Sequence, residues 1–203
     1  MIITFNGEQF FKVQAGDTII ALNPITPEKG EKVTRFGADI AISTVNINRY
    51  NGFETVTYGD KEPLCIDGAG SYESDGLMID GFNTTKPDED GKINTVYSFD
   101  FDDMKIAFLG SVVGKDMLPP DALEEITDSD IVFVSITDSD AHSFAVSLAP
   151  KIIIPMGYTD IKDEALIEFL KDAGAEKTEI MEKLTIKRHD IETLTGQVFV
   201  LGV

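Results

Sequence analysis

Few histidine or cysteine side chains in this sequence could hold a metal or attack a substrate. Zinc sites draw on Cys thiolate, neutral His and carboxylate ligands at close spacing. The 203 residues include two histidines, His142 and His189, and one cysteine, Cys65. No C-x-x-C or H-E-x-x-H pair is present. His142 falls in a predicted helix and His189 in a polar C-terminal stretch, so both are expected at the surface. Cys65 lies in the apolar run Leu64-Cys65-Ile66 and is expected to be a buried thiol, because free Cys behaves as a small hydrophobe. Nucleophilic catalysis has no G-x-S-x-G elbow to build on. Gly68-Ala69-Gly70 lacks the third glycine of a dinucleotide fingerprint and reads as hairpin-turn material. Pro87-Asp88-Glu89-Asp90-Gly91-Lys92 is rich in Asp but lacks the twelve-residue spacing and closing Glu of an EF-hand loop, which predicts a plain turn.

The chain that must position these groups alternates short apolar runs with turn residues. β-prone runs recur at 2–5, 10–13, 18–22, 39–43, 64–66, 77–79, 95–101, 105–109, 131–135, 151–154 and 197–201. Asn6-Gly7, Ala15-Gly16-Asp17, Glu73-Ser74-Asp75-Gly76 and Asp102-Asp103 supply turns. Helices are predicted over 160–174, 120–126 and 139–148. The first has Thr159 or Asp160 as a cap, an apolar stripe of Ala165, Leu166, Phe169 and Leu170, and Gly174 as its stop. The second carries Pro near its first turn with acidic residues early. No repeat, low-complexity tract or long linker divides the sequence, so one domain over residues 1–203 is expected.

Composition narrows the partners. Thirty-six acidic against 17 basic residues give a net charge of −19. Such a surface repels phosphate backbones and anionic membranes, so neither a nucleic acid nor a membrane is expected as a partner. No apolar run approaches the roughly 20 residues that span a bilayer. Met1-Ile2-Ile3-Thr4-Phe5-Asn6-Gly7 lacks a basic n-region, and the single cysteine suits a reducing compartment. A cytoplasmic protein is expected.

Six blocks then carry a family resemblance. Ile19-Ile20-Ala21-Leu22-Asn23-Pro24 is similar to an early strand ending in Asp-Pro, and Phe36-Gly37-Ala38-Asp39-Ile40 to an A-D-I approach to a metal motif. Asp67-Gly68-Ala69-Gly70-Ser71-Tyr72-Glu73, with Gly76 and Ile79-Asp80-Gly81, resembles a G-P-G-E-Y-E…G…I-x-G hairpin. Gly91 with Asn94-Thr95-Val96-Tyr97 resembles G…N-T-I-Y, and Ile106-Ala107-Phe108-Leu109-Gly110-Ser111 resembles I-x-H-L-G-D. Pro150-Lys151-Ile152-Ile153-Ile154-Pro155-Met156-Gly157-Tyr158 resembles P-K-I-V-I-P-M-H-Y. In order and spacing these blocks resemble the compact Zn-dependent hydrolase, lactonase-like branch of the metallo-β-lactamase superfamily. The resemblance implies an α/β fold, a four-layer αββα sandwich, and a dinuclear metal site.

Its departures fall where metal would bind. The stretch Ser43-Thr44-Val45-Asn46-Ile47-Asn48-Arg49-Tyr50-Asn51 occupies the place of T-H-x-H-x-D-H. By that alignment the ligand positions hold Val45, Ile47, Arg49, Tyr50, Lys86 (or Thr85), Ser111 and Gly157, and Asn23 replaces the Asp of the D-P turn. Zinc is the family's cofactor, its ligands are missing here, and no cofactor is expected. Val45 and Ile47 are expected to extend a buried face, and the cleft to be partly collapsed or filled by Tyr50. Arg49 and Lys86 bring positive charge to the old cation site, where they could pair with carboxylates or bind a small anion.

Three functional readings follow. The first is a metal-free, non-catalytic binding, regulatory or assembly protein, pairing with another protein, an active paralogue or a second copy of itself. The second is a hydrolase of small esters, lactones or phosphodiesters with an unrecognised metal site. The third is a small-anion binder using Arg49 and Lys86. The alignment places neither histidine near Ser111, which leaves a serine hydrolase unsupported.

Overall fold

A computed structural model describes residues 1–88 and 90–202. It begins with an antiparallel meander, β1 (Ile2–Phe5), β2 (Phe11–Ala15) and β3 (Thr18–Leu22). Its turns use positive φ at Gly7, Glu8 and Gly16. β4 (Ile40–Ile42) then pairs parallel to β3, and β5 (Leu64–Ile66) parallel to β4. A second sheet follows from β6 (Gly70–Ser74), β7 (Leu77–Asn83), β8 (Thr95–Phe101) and β9 (Met104–Phe108), all antiparallel. After α1 (Pro120–Ile126) come β10 (Ile131–Ser135), α2 (Ala141–Val146), β11 (Ile152–Met156) and α3 (Glu164–Asp172). The chain closes with β12 (Ile180–Met181), β13 (Lys183–Thr185), β14 (Gln197–Val198) and β15 (Val200–Leu201).

The sheets have the orders β13-β1-β2-β3-β4-β5 and β14-β11-β10-β9-β8-β7-β6, with β12 and β15 as a small parallel pair. They pack face to face as a sandwich. Ile3, Phe5, Phe11, Val13, Ile20, Leu22, Ile40, Ile42 and Ile66 point inward from the first sheet, following the two-residue alternation of strand side chains. Across the interface, the Phe11 and Phe133 rings meet edge-on at 4.9 Å and those of Phe5 and Tyr158 stack at 4.8 Å. The Tyr97 hydroxyl also ties the sheets together by donating to the Ser43 carbonyl at 3.1 Å. Among the described residues, no helix is long and apolar enough to cross a membrane.

The outer layers are unequal. Contacts of α1 with β8, α2 with β10 and α3 with α2 place these helices on the seven-stranded sheet. On the six-stranded sheet, the outward residues near β3 and β4 are the small Ala21 and Ala41. An irregular segment, 23–39, and the 3₁₀ turns Asn48–Tyr50 and Phe53–Thr55 close over them. Ile25, Ala38, Val56, Phe10 and the half-buried Val33, Phe36, Tyr50 and Phe53 make this second apolar cluster.

Several expectations need correction. Cys65 is exposed, because the strand alternation that buries Ile66 turns Cys65 outward on the edge strand β5. Leu77–Asn83 runs four residues beyond the predicted strand and pairs with Gly70–Ser74, which had no strand signature. The last helix starts later than predicted: Asp163 caps it by accepting from the Ala165 N–H at 3.0 Å, while Asp160 shapes the preceding turn. Of the Pro87–Lys92 turn, Glu89 lies outside the described residues; Asp88 organises the rest by accepting from the N–H groups of Asp90 and Lys92.

Candidate functional site

The positions singled out in the sequence gather at one end of the sandwich, around the β1–β2 turn. Glu8 sits there with φ at +53°. Its N–H donates to the Tyr158 carbonyl at 2.9 Å and its carbonyl accepts from Gly157 N–H at 2.9 Å. The turn is thus fixed to the exit of β11, and the Glu8 side chain faces the 3₁₀ turn that carries Arg49 and Tyr50.

Arg49 is the centre of a charge cluster. Its Nε donates to Glu8 Oε1 at 3.0 Å, and an ion pair from Nη2 to the same Glu8 oxygen backs that bond. Its terminal fork donates to Glu31 through Nη1 at 2.6 Å and Nη2 at 2.8 Å, and Nη1 also reaches the Thr26 carbonyl at 3.1 Å. The two-point geometry matches the guanidinium fork to a carboxylate. The Tyr50 hydroxyl donates to the other Glu8 oxygen at 3.2 Å.

Charge shifts follow from these contacts. The hydrogen bond from Arg49, helped by the Glu28 N–H, holds the Glu31 carboxyl down at about 2. The carboxylates of Glu31 and Glu8 raise the already high pKa of Arg49. Burial, then the charge of Glu8, pushes the Tyr50 phenol up.

Beside this cluster lies a neutral hydrogen-bond net. The buried Asn23 amide donates to Gln9 Oε1 at 2.9 Å and Thr44 Oγ1 at 3.0 Å, and its oxygen accepts from Thr44 N–H at 2.8 Å. Asn94 accepts from Ser111 N–H at 2.9 Å and donates to the Leu109 carbonyl at 3.0 Å. Gln9 reaches Ser111 Oγ at 3.5 Å. Gly110, at φ +60°, runs so close that an added Cβ would lie 2.3 Å from Asn94 Oδ1.

The remaining positions divide. Val45 is buried, as expected of an extended apolar face, whereas Ile47 is half-buried. Lys86 is exposed and ion-paired with Asp116, whose carboxyl the ammonium holds below its ordinary range. Lys86 and Ser111 line a cavity of about 480 Å³ together with Asp88, Asp90, Asp116 and Asp138. Tyr50 does not fill it, contrary to expectation; its ring packs on the second apolar cluster and its hydroxyl turns to Glu8. Arg49 is not among the residues that line this cavity, and the two cations have different partners, Glu8 and Glu31 for Arg49 and Asp116 for Lys86. Of the histidines, His189 is exposed and His142 half-buried, edge-on to Phe169.

A zinc ion does not fit this donor set. Among the described residues, no three His, Cys, Asp or Glu side chains come together in a way that could hold a metal ion. The carboxylates nearest Arg49 are already engaged by its guanidinium. Sequence reasoning missed Glu8 and Glu31, which lie 41 and 18 positions from Arg49. Asn6-Gly7 marked the turn, but nothing local marked its carboxylate as a partner.

A family model described as a beta-lactamase superfamily domain matches residues 2–157. A Thermotoga maritima protein assigned as a Zn-dependent hydrolase of the metallo-beta-lactamase superfamily superposes with a TM-score of 0.72 at 23% identity, covering 98% of this chain and 97% of that one. The isothiocyanate hydrolase from Delia radicum gut bacteria gives 0.63 at 12% identity, covering 92% and 99%. Igni18, a metallo hydrolase from Ignicoccus hospitalis, gives 0.58 at 17%, again covering 92% and 99%. At these identities the likeness is one of fold. No curated protein sequence is a significant match.

Proposed function

Because this chain belongs to the beta-lactamase superfamily, we propose that it is a member whose metal centre has been replaced by an internal ion-pair cluster. On this reading the protein is kept for binding or assembly rather than hydrolysis, with another protein, an active paralogue or a second copy as partner. The observation that carries the reading is the Arg49 guanidinium, held between Glu8 and Glu31 at the position that the family resemblance gives to an acidic ligand of the second metal. A fixed cation there repels a divalent metal and engages the carboxylates that a metal would need. Metal ions of this type lower the pKa of a bound water and stabilise developing negative charge; no side chain around Arg49 offers a substitute for the first of these tasks.

The neighbouring cavity also disfavours phosphodiester substrates, since Asp88, Asp90, Asp116 and Asp138 face a single Lys86. The test is elemental analysis of protein purified without chelator after expression with zinc, manganese and iron. Less than roughly 0.1 equivalent of metal is expected, against the one or two tightly held equivalents of a working dinuclear site, and the latter result would overturn the reading.

A further inference from the structure

We infer that the outward fork of Arg49 is a carboxylate-binding site that the chain fills with its own Glu31, making segment 26–36 a strap that a competing carboxylate releases. The two carboxylates on Arg49 are held differently. Glu8 belongs to the scaffold: its backbone is bonded to Gly157 and Tyr158, and Tyr50 holds its second oxygen. Together with the Thr26 carbonyl it fixes the plane of the guanidinium. Glu31 sits on an exposed stretch and is steadied locally by the Glu28 N–H at 2.8 Å and by its own N–H to the Glu28 carbonyl. It meets the fork end-on, through two separate oxygens, as a carboxylate arriving from solvent would.

Charge selects the ligand class. Exchanging Glu31 for a monoanionic carboxylate group leaves the cluster's charge unchanged. A phosphate dianion brings two negative charges on the one group that meets the fork, beside Glu8 on a chain of net charge −19, whereas acetate, or either carboxylate of succinate, brings one. Apart from Glu31 the strap is held at its two ends: Thr26 donates its N–H to the Arg49 carbonyl at 2.8 Å, and Val33 and Phe36 pack on the second apolar cluster, the Phe36 ring 5.7 Å from that of Phe10 and under the Lys12 ammonium at 5.3 Å. Residues between Thr26 and Val33 depend on the Glu31 contact, and they include Lys29 and Lys32, two trypsin sites. A tethered carboxylate competes at an effective concentration of the order of millimolar, so free carboxylates displace Glu31 only in that range.

The inference rests on the proposed structural role of the Arg49–Glu8 pair, but not on the loss of metal chemistry. The probes are acetate and succinate, titrated by calorimetry into wild type, Glu31→Gln and Arg49→Lys, with sodium chloride at matched ionic strength as reference. Trypsin cleavage after Lys29 and Lys32 is followed in parallel. In wild type, carboxylates should speed strap cleavage more than chloride does. Glu31→Gln should be cleaved faster without ligand and bind succinate about tenfold or more tightly than wild type. Arg49→Lys keeps the charge but loses the fork, and should lose that binding. Unchanged strap cleavage in Glu31→Gln, or equal succinate binding by Glu31→Gln and Arg49→Lys, would overturn the inference. Metal content of the same samples separates this outcome from failure of the pseudo-site reading: bound metal defeats that reading alone, whereas the carboxylate arms decide this one.

Discussion

Replacing Arg49 by Met keeps an aliphatic stem and removes the guanidinium. The Glu8 carboxylate then retains only the Tyr50 hydroxyl, while Glu31 is left facing it with nothing between them. The cost lies between two limits. A fully buried pair that loses one member costs about 3–5 kcal/mol, and an exposed pair contributes about 0–1 kcal/mol. The Arg49 and Glu8 side chains are 22% and 21% exposed, so the expected destabilisation is about 2 kcal/mol, from hydrogen bonds to charged groups at an incompletely desolvated site. For a chain of this length that lowers Tm by about 4–8 °C, read by calorimetry or denaturant titration. Glu31→Gln should stay within about 1 kcal/mol of wild type, since its pair is more open to solvent. A double-mutant cycle should accordingly give a larger coupling for Arg49–Glu8 than for Arg49–Glu31. The reasoning is refuted if Arg49→Met lies within about 0.5 kcal/mol of wild type, the range of an ordinary surface substitution, or if the order of the couplings is reversed.

Two further predictions concern the same end of the sandwich. Glu31 has its pKa depressed to about 2, so its pairing supports the fold above the ordinary carboxylate range and is lost as pH falls from about 4.5 toward 2; carboxylate NMR titration should show the low value rising with salt, and an ordinary value at low salt counts against the clamp. Gly110→Ala should destabilise by about 2–4 kcal/mol through overpacking and a left-handed backbone, because the new Cβ meets Asn94 Oδ1 and Thr44 Oγ1 inside 2.6 Å; a variant as stable as wild type in denaturant titration contradicts the tight crossing.

The fold was legible where apolar alternation and turn chemistry agree. Ile2–Phe5, Thr18–Leu22, Thr95–Phe101 and Ile131–Ser135 come out with the predicted ends, as does α1 with its N-terminal Pro120. Gly70–Ser74 shows no apolar alternation because it is an edge strand whose residues are mostly exposed, and only the resemblance to a hairpin block pointed to its pairing with β7. Cys65 misled because its run is apolar on both sides, while burial there is set by which face of an edge strand a residue takes. The site was half legible. The motif blocks fixed where to look, but the groups that engage Arg49 come from a turn and an irregular segment far away in sequence. Ion pairs between loops leave no periodicity to read.

The substitutions at this end of the protein form a mutually consistent set. A cation at position 49 needs acidic partners, and Glu8 and Glu31 meet that need from two different segments. A carboxylate at position 23 would be fully buried with no positive partner beside it; Asn23 is neutral and uses its extra donors on Gln9 and Thr44. Ser111 adds no charge to a cavity that already carries four Asp side chains. Gly157 takes a backbone with φ of +101° and bonds directly to Glu8, which locks the turn that holds Arg49. A buried charge without a partner is among the most destabilising features a fold can carry. In this end of the sandwich, every residue that departs from the family's metal-binding pattern is either paired for its charge or uncharged, which is the arrangement that the proposed metal-free site requires.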